Sequence, residues 1–118
     1  MSLRNYIAQR LEERRILLMA HVIVGYPSVE DNWRMLEVMA ENDVDLVELQ
    51  MPFSEPVADG PTFARANQLA IEAGATTEGY FDFLARSTAA FPFPQLMMGY
   101  YNPVYRLGHA EFCRRMAA

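Results

Sequence analysis

The stretch VELQMPFSEPVADGPT, Val47–Thr62, carries an apolar strand into a Pro- and acid-rich loop. The strand VDLVEL (Val44–Leu49) ends with a carboxylate, Glu48, flanked by Val47 and Leu49. A second carboxylate, Asp59, stands in the loop just before Gly60 and Pro61. In parallel α/β folds, functional groups collect at the carboxyl ends of strands. The stretch therefore reads as a strand end presenting a site, which requires further βα units on either side.

Upstream, Leu3, Tyr6, Ile7 and Leu11 recur at helical spacing and predict a leading helix over 3–14. Residues 16–24, ILLMAHVIV, form an apolar run of the kind covered on both faces in a parallel sheet. Gly25–Pro27 turns the chain, and Ser28 begins a helix over roughly 29–41 that Asn42 and Asp43 terminate. Downstream, Pro61 opens a helix striped with Phe63, Ala66, Leu69, Ala70 and Ala73, and Gly74 ends it. Thr76 or Thr77 starts another, carrying Phe81, Leu84 and Ala85. Gln95–Tyr101 reads as a third strand closed by Asn102-Pro103, and a last helix starts near His109. Alternating strands and helices imply right-handed parallel βαβ units. A (β/α)8 barrel takes about 250 residues, so a chain of 118 residues with three strands reads as the first part of a larger fold.

Composition narrows the function classes. The chain is 52% hydrophobic and 21% charged, which excludes disorder as the default. A net charge of −5 and a pI near 4.9 argue against nucleic acid or an anionic membrane as partner. Cys113 is the single cysteine, so neither an internal disulfide nor a cysteine-based zinc site can form within the chain, and a reducing cytoplasmic setting fits. The charged start, MSLRNYIAQRLEERR, lacks the apolar core of a signal peptide.

Two carboxylates on one rim can divide acid and base work when their surroundings differ. Glu48, beside apolar neighbours, suits proton transfer. Asp59, in a loop near backbone amides, suits stabilising positive charge on a substrate. Spacing alone leaves a plainer alternative open, in which Glu48 faces water and Asp59 only caps the helix at Pro61.

The residues themselves narrow this choice. ELQMPFSEPVADGPT resembles the second-strand motif of the tryptophan synthase alpha subunit family, ELGIPFSDPxADGP. VIVGYP is similar to the ending of that family's first strand, AIEAGATT to the link after its second helix, and MGYYNPVYRLG to its third strand and following loop. The matches fall in order along most of the chain. The resemblance implies a partial (β/α)8 TIM barrel, with residues 1–118 the N-terminal part of a single domain and the remaining strands absent from the chain. It implies a carbon–carbon lyase that, as a complete barrel, cleaves indole-3-glycerol phosphate to indole and glyceraldehyde 3-phosphate without metal or organic cofactor; the 118-residue chain alone is expected to be inactive. Glu48 and Asp59 match the catalytic pair. Tyr100, His21 and Ala58 match substrate-binding positions. Pro52, Ser54, Glu55, Pro56 and Asn102 match a surface facing a pyridoxal-phosphate-dependent beta subunit.

Some residues depart from the family pattern. Gln50 replaces the usual Gly after Glu-Leu, Glu55 replaces the loop Asp, and His21 stands where an apolar or aromatic residue is general. These changes motivate a second reading, a noncatalytic partner-binding or structural module that kept the motif. From its strand position alone, His21 is expected to be a hydrogen-bonded core residue, Cys113 core packing, and Met51 a pocket-lining residue. The pairs Arg14–Arg15 and Arg114–Arg115 are expected to be solvated helix faces. The unfinished sheet is expected to make the isolated chain self-associate.

Overall fold

The computed structural model describes residues 1–118. In chain order the elements are α1 (Leu3–Glu13), β1 (Met19–Ile23), α2 (Val29–Glu41), β2 (Leu46–Gln50), α3 (Pro61–Glu72), α4 (Thr77–Ala90), β3 (Gln95–Met98), α5 (Tyr101–Leu107) and α6 (His109–Ala117). Side-chain oxygens set three helix starts. Ser2 accepts the Asn5 N–H, Ser28 that of Asp31 and Thr76 that of Gly79, each satisfying an amide left over by the first turn. Pro61 sits at the first position of α3, where no N–H is needed. Gly25, at φ +98°, allows the turn out of β1.

The three strands are all parallel, in the order β1-β2-β3. Sequential neighbours with helical crossovers are the repeat of a (β/α)8 barrel, and the chain holds its first three units. Alternation sends Val22, Val47 and Leu49 to the helix-covered side. There they pack with Leu36, Tyr80, Phe83 and Leu84 in the main core. The Tyr80 hydroxyl donates to the Leu49 carbonyl at 2.7 Å, and burial pushes its phenol up. His21 and Ile23 face the opposite side, beside Glu48 and Gln50 in register. α3 covers part of that side, placing Ala66 and Ala70 against Ile23.

An ionic clamp closes the amino end of the sheet. Asp45 is fully buried and accepts the Leu18 N–H at 2.8 Å, Arg10 Nε at 2.8 Å and Arg14 at 3.1 Å. Both arginines also bond the Asp43 carboxylate, and Tyr6 donates its hydroxyl to the Asp45 carbonyl. Burial alone would raise the Asp45 carboxyl, but the Leu18 amide and Arg10 outweigh it and hold it below the ordinary value. This clamp fastens α1 to the start of β2.

Several expectations need correction. The strand expected over 16–24 pairs only from Met19 to Ile23, and Ile16 and Leu18 are exposed. Burial on β1 is confined to Val22 and Ile23, because the side away from the core helices is covered only where α3 reaches it. β3 stops at Met98 rather than Tyr101. Tyr101, Asn102 and Pro103 form the first turn of α5, which tolerates a proline because its amides have no partner within the helix. Cys113 is exposed, not core packing. Met51 lines a groove beside Pro52 as expected, and it is also part of the main core, since it has the parity of Val47 and Leu49. Arg14 is engaged in the clamp, and Arg115 pairs with Glu78 and Glu111 and lies over the Phe81 ring.

Candidate active site

The carboxyl ends of the three strands hold a continuous chain of hydrogen bonds. His21 from β1 meets Glu48 from β2, with Nδ1 2.7 Å from Oε2. Its other nitrogen, Nε2, is 2.8 Å from Oε1 of Gln50. The Gln50 amide donates through Nε2 to Asp59 Oδ2 at 3.1 Å. Tyr100, beyond β3, donates its hydroxyl to the same oxygen at 3.1 Å and accepts the Ala58 N–H at 3.0 Å. One path therefore runs from Glu48 through His21, Gln50 and Asp59 to Tyr100 and Ala58.

Parallel register explains why these residues meet. His21 lies beside Glu48, and Ile23 beside Gln50, so residues 21, 48 and 50 share one face. Glu48 and His21 are partly exposed, with side chains 29% and 23% accessible, so both are open to a ligand. Gln50 is fully buried and would be costly there without the partners it has. Each carboxylate keeps one oxygen without a protein partner, Oε1 on Glu48 and Oδ1 on Asp59.

Two aromatic contacts hold the arrangement. Phe63 of α3 stacks on the His21 imidazole, with centroids 5.1 Å apart and planes 10° from parallel. Phe53 stacks on Tyr100 at 5.0 Å. Buried Asn67 accepts the Phe53 N–H at 2.9 Å, tying the start of the loop after β2 to α3, and its own amide is held within that helix by donating to the Phe63 carbonyl at 2.8 Å. Asn32 ties the turn after β1 to α2, accepting from Gly25 N–H and donating to the Tyr26 carbonyl.

Glu48, Asp59, His21, Tyr100 and Ala58 are thus brought together as one constellation. Asp59 does not cap α3: the N-cap is Gly60, which makes no side-chain cap bond. His21 is not a core residue but a bridge between the two acidic positions. Pro52 and Ser54 line a separate groove of about 500 Å³ with Pro103 and Arg106. Glu55 and Asn102 are exposed and Pro56 is half-buried. Sequence reasoning missed Gln50 as a linker, Phe63 and Phe53 as stacking partners, and Asn32 and Asn67 as loop anchors. The available signal for the asparagines was a polar residue inside an otherwise apolar helix stripe. No group of histidine, cysteine and carboxylate side chains is arranged to hold a metal ion. No helix is long and apolar enough to cross a membrane.

The sequence profile of the tryptophan synthase alpha chain matches residues 7–118. The chain belongs to that family. It is 45% identical over 115 residues to the tryptophan synthase alpha chain of Desulforapulum autotrophicum, covering 98% of this chain and 46% of that relative. The alpha chain of Syntrophotalea carbinolica is 44% identical, with the same coverage. Among solved structures, tryptophan synthase from Mycobacterium tuberculosis in its aminoacrylate-bound form superposes with a TM-score of 0.83 at 28% identity, over 95% of this chain and 45% of that one. The alpha subunit from Legionella pneumophila superposes with a TM-score of 0.89 over 99% of this chain and 45% of its own, at 24% identity, a likeness of fold. The chain spans just under half the length of these alpha-chain relatives, in keeping with an N-terminal portion of the barrel.

Proposed function

We propose that residues 1–118 are the N-terminal part of a single barrel domain that, when complete, is a carbon–carbon lyase acting on indole-3-glycerol phosphate. The observation that carries this reading is the pairing of Glu48 and Asp59 on one face, each with one unpartnered carboxylate oxygen. Family membership supplies the reaction to which that pair is matched.

The chemistry suits the groups. Glu48 delivers a proton to the indole ring carbon that bears the side chain, which leaves positive charge at the ring nitrogen. Asp59, held as an acceptor by Gln50 and Tyr100, places its free oxygen to stabilise that charge. Glu48, now ionised, takes the proton of the glycerol hydroxyl. The carbon–carbon bond breaks, its electron pair neutralises the ring, and the products are indole and glyceraldehyde 3-phosphate. One proton has moved from oxygen to carbon, with no change in redox state. Phe53, stacked on Tyr100, and Phe63, stacked on His21, offer apolar ring faces beside the carboxylates.

The protein acts in the cytoplasm and docks on a beta subunit through Pro52, Ser54, Glu55, Pro56 and Asn102. The exposure of Ser54, Glu55 and Asn102 supports that placement. The chain alone is inactive, because phosphate sites of barrels come from later strands. The test joins this chain to the strands its relatives carry beyond residue 118 and measures indole release. Glu48→Gln is expected to lower kcat by about 10²-fold or more. Unchanged turnover in that variant overturns the reading.

A further inference from the structure

The hydrogen-bond chain at the strand ends counts protons. The Ala58 N–H can only donate, so the Tyr100 oxygen accepts it and the Tyr100 hydrogen goes to Asp59. Asp59 Oδ2 therefore receives two donors, from Tyr100 and from the Gln50 amide. That fixes the amide: its nitrogen faces Asp59, and its oxygen faces His21. An amide oxygen only accepts, so His21 Nε2 carries a hydrogen. At the far end, Nδ1 and Glu48 Oε2 lie 2.7 Å apart with room for one proton between them. The pair is either a neutral imidazole with a protonated Glu48 or an imidazolium with a Glu48 carboxylate. The arrangement that these partners disfavour is the one with neither, because it sets two lone pairs face to face.

We infer that His21 is a proton-holding residue for Glu48, exchanging the single proton at the Nδ1–Oε2 contact so that Glu48 meets its substrate as either an acid or a base. The inference rests on the lyase reading for its role in turnover, though not for the proton count. The transfer is balanced. A proton leaves Nδ1 as Glu48 becomes a carboxylic acid, or returns as Glu48 becomes a carboxylate, and the summed charge of the pair stays constant. The Gln50 link extends the control to Asp59, so the imidazole is kept in one tautomer by the second carboxylate. His21 acts through Glu48 and is a positioning residue. The stacked Phe63 keeps its ring in the plane that both hydrogen bonds require.

Glu48 on β2, Asp59 in the following loop and Tyr100 after β3 are the titratable partners along the chain. Tyr26 of the turn after β1 lines the small cleft beside His21, and α2 and α3 contribute only Met35, Thr62, Phe63 and Ala66 to it.

The experiment has two independent arms. In the first, nitrogen NMR of this chain reads the His21 ring, with His109→Gln removing the other histidine. The expected spectrum has Nε2 protonated and an Nδ1 signal that changes in Glu48→Gln. A neutral ring protonated only at Nδ1, or a ring indifferent to that change, overturns the inference whatever the activity. In the second, the completed barrel is assayed for indole release. His21→Phe keeps an aromatic ring for stacking on Phe63 and is expected to lower kcat about tenfold with little change in KM, and to move the alkaline limb of the kcat–pH profile. His21→Asn restores a donor near Nδ1 that cannot exchange a proton, and it is expected to leave the defect in place. Full recovery in His21→Asn, or an unmoved pH profile in His21→Phe, overturns the proton-holding role. If no barrel form releases indole, the lyase reading fails while the NMR arm still decides the proton count.

Discussion

Tyr100 donates its hydroxyl to Asp59 across 41 residues of sequence, at 3.1 Å. The bond joins the loop after β2 to the segment after β3, and the same hydroxyl accepts the Ala58 amide. One phenol therefore holds two points of the candidate site.

Tyr100→Phe keeps the stack on Phe53 and removes both hydrogen bonds. The Ala58 amide is exposed enough to turn to water, so the fold should survive with a loss of about 1 kcal/mol. In the completed barrel KM should rise more than kcat falls, because the loop bearing Asp59 loses its anchor. Steady-state kinetics of indole release check this.

Asp59→Asn tests charge with shape held constant. Asparagine fills the same space and can still accept one hydrogen bond, yet it offers no negative charge to the ring nitrogen. A fall in kcat of about 10²-fold is expected, with KM changed far less. A fall confined to KM would show that Asp59 binds the substrate without stabilising its transition state.

Asp45 governs the acid response of the amino end. Its folded carboxyl titrates below the ordinary value of 3.8, so its contribution is present in full above that value. It is lost as the pH falls through the lower folded value. Asp45→Ala leaves Arg10 and Arg14 without their buried partner and should cost about 3 kcal/mol. Urea unfolding of both forms at pH 7 and at pH 3 should show the gap between them narrowing in acid.

Gly25→Ala tests the turn after β1. The residue has φ +98°, and an added Cβ would lie 3.3 Å from that of Ala75 and 3.4 Å from that of Ala70. Backbone strain alone predicts about 1–2 kcal/mol of destabilisation. A thermal melt reads the change.

The sheet has two unpaired edges, and Ile16, Leu18 and Met19 expose apolar surface beside one of them. Isolated residues 1–118 should therefore associate in a concentration-dependent way. Sedimentation velocity over a range of loading concentrations checks this, and a single compact monomer throughout contradicts it.

Much of the architecture could be read from local chemistry. Ser28, Pro61 and Thr76 mark helix starts through bonds or constraints that involve only neighbouring residues, and α2 and α4 fall where these signals put them. The errors came from tertiary context. Ile16 and Leu18 are apolar enough for a strand but lie beyond its pairing, and Tyr101-Asn102-Pro103 reads as a stop although it begins a helix. At the site, Glu48 and Asp59 were legible from their motif. The bridge between them was not, because strand register brings His21 to Glu48 and only the folded loop delivers Asp59 to Gln50. Asp45 showed the same blindness: its burial depends on two arginines more than thirty residues away.

The alignment of β1 with β2 has one more consequence. Sliding β1 by a single position would turn His21 away and present Ala20 or Val22 to Glu48, leaving nothing to share its proton. A misthreaded sheet would thus announce itself as lost chemistry before it showed as lost secondary structure. The proton bridge is a built-in gauge of whether the first two strands have been laid down in step.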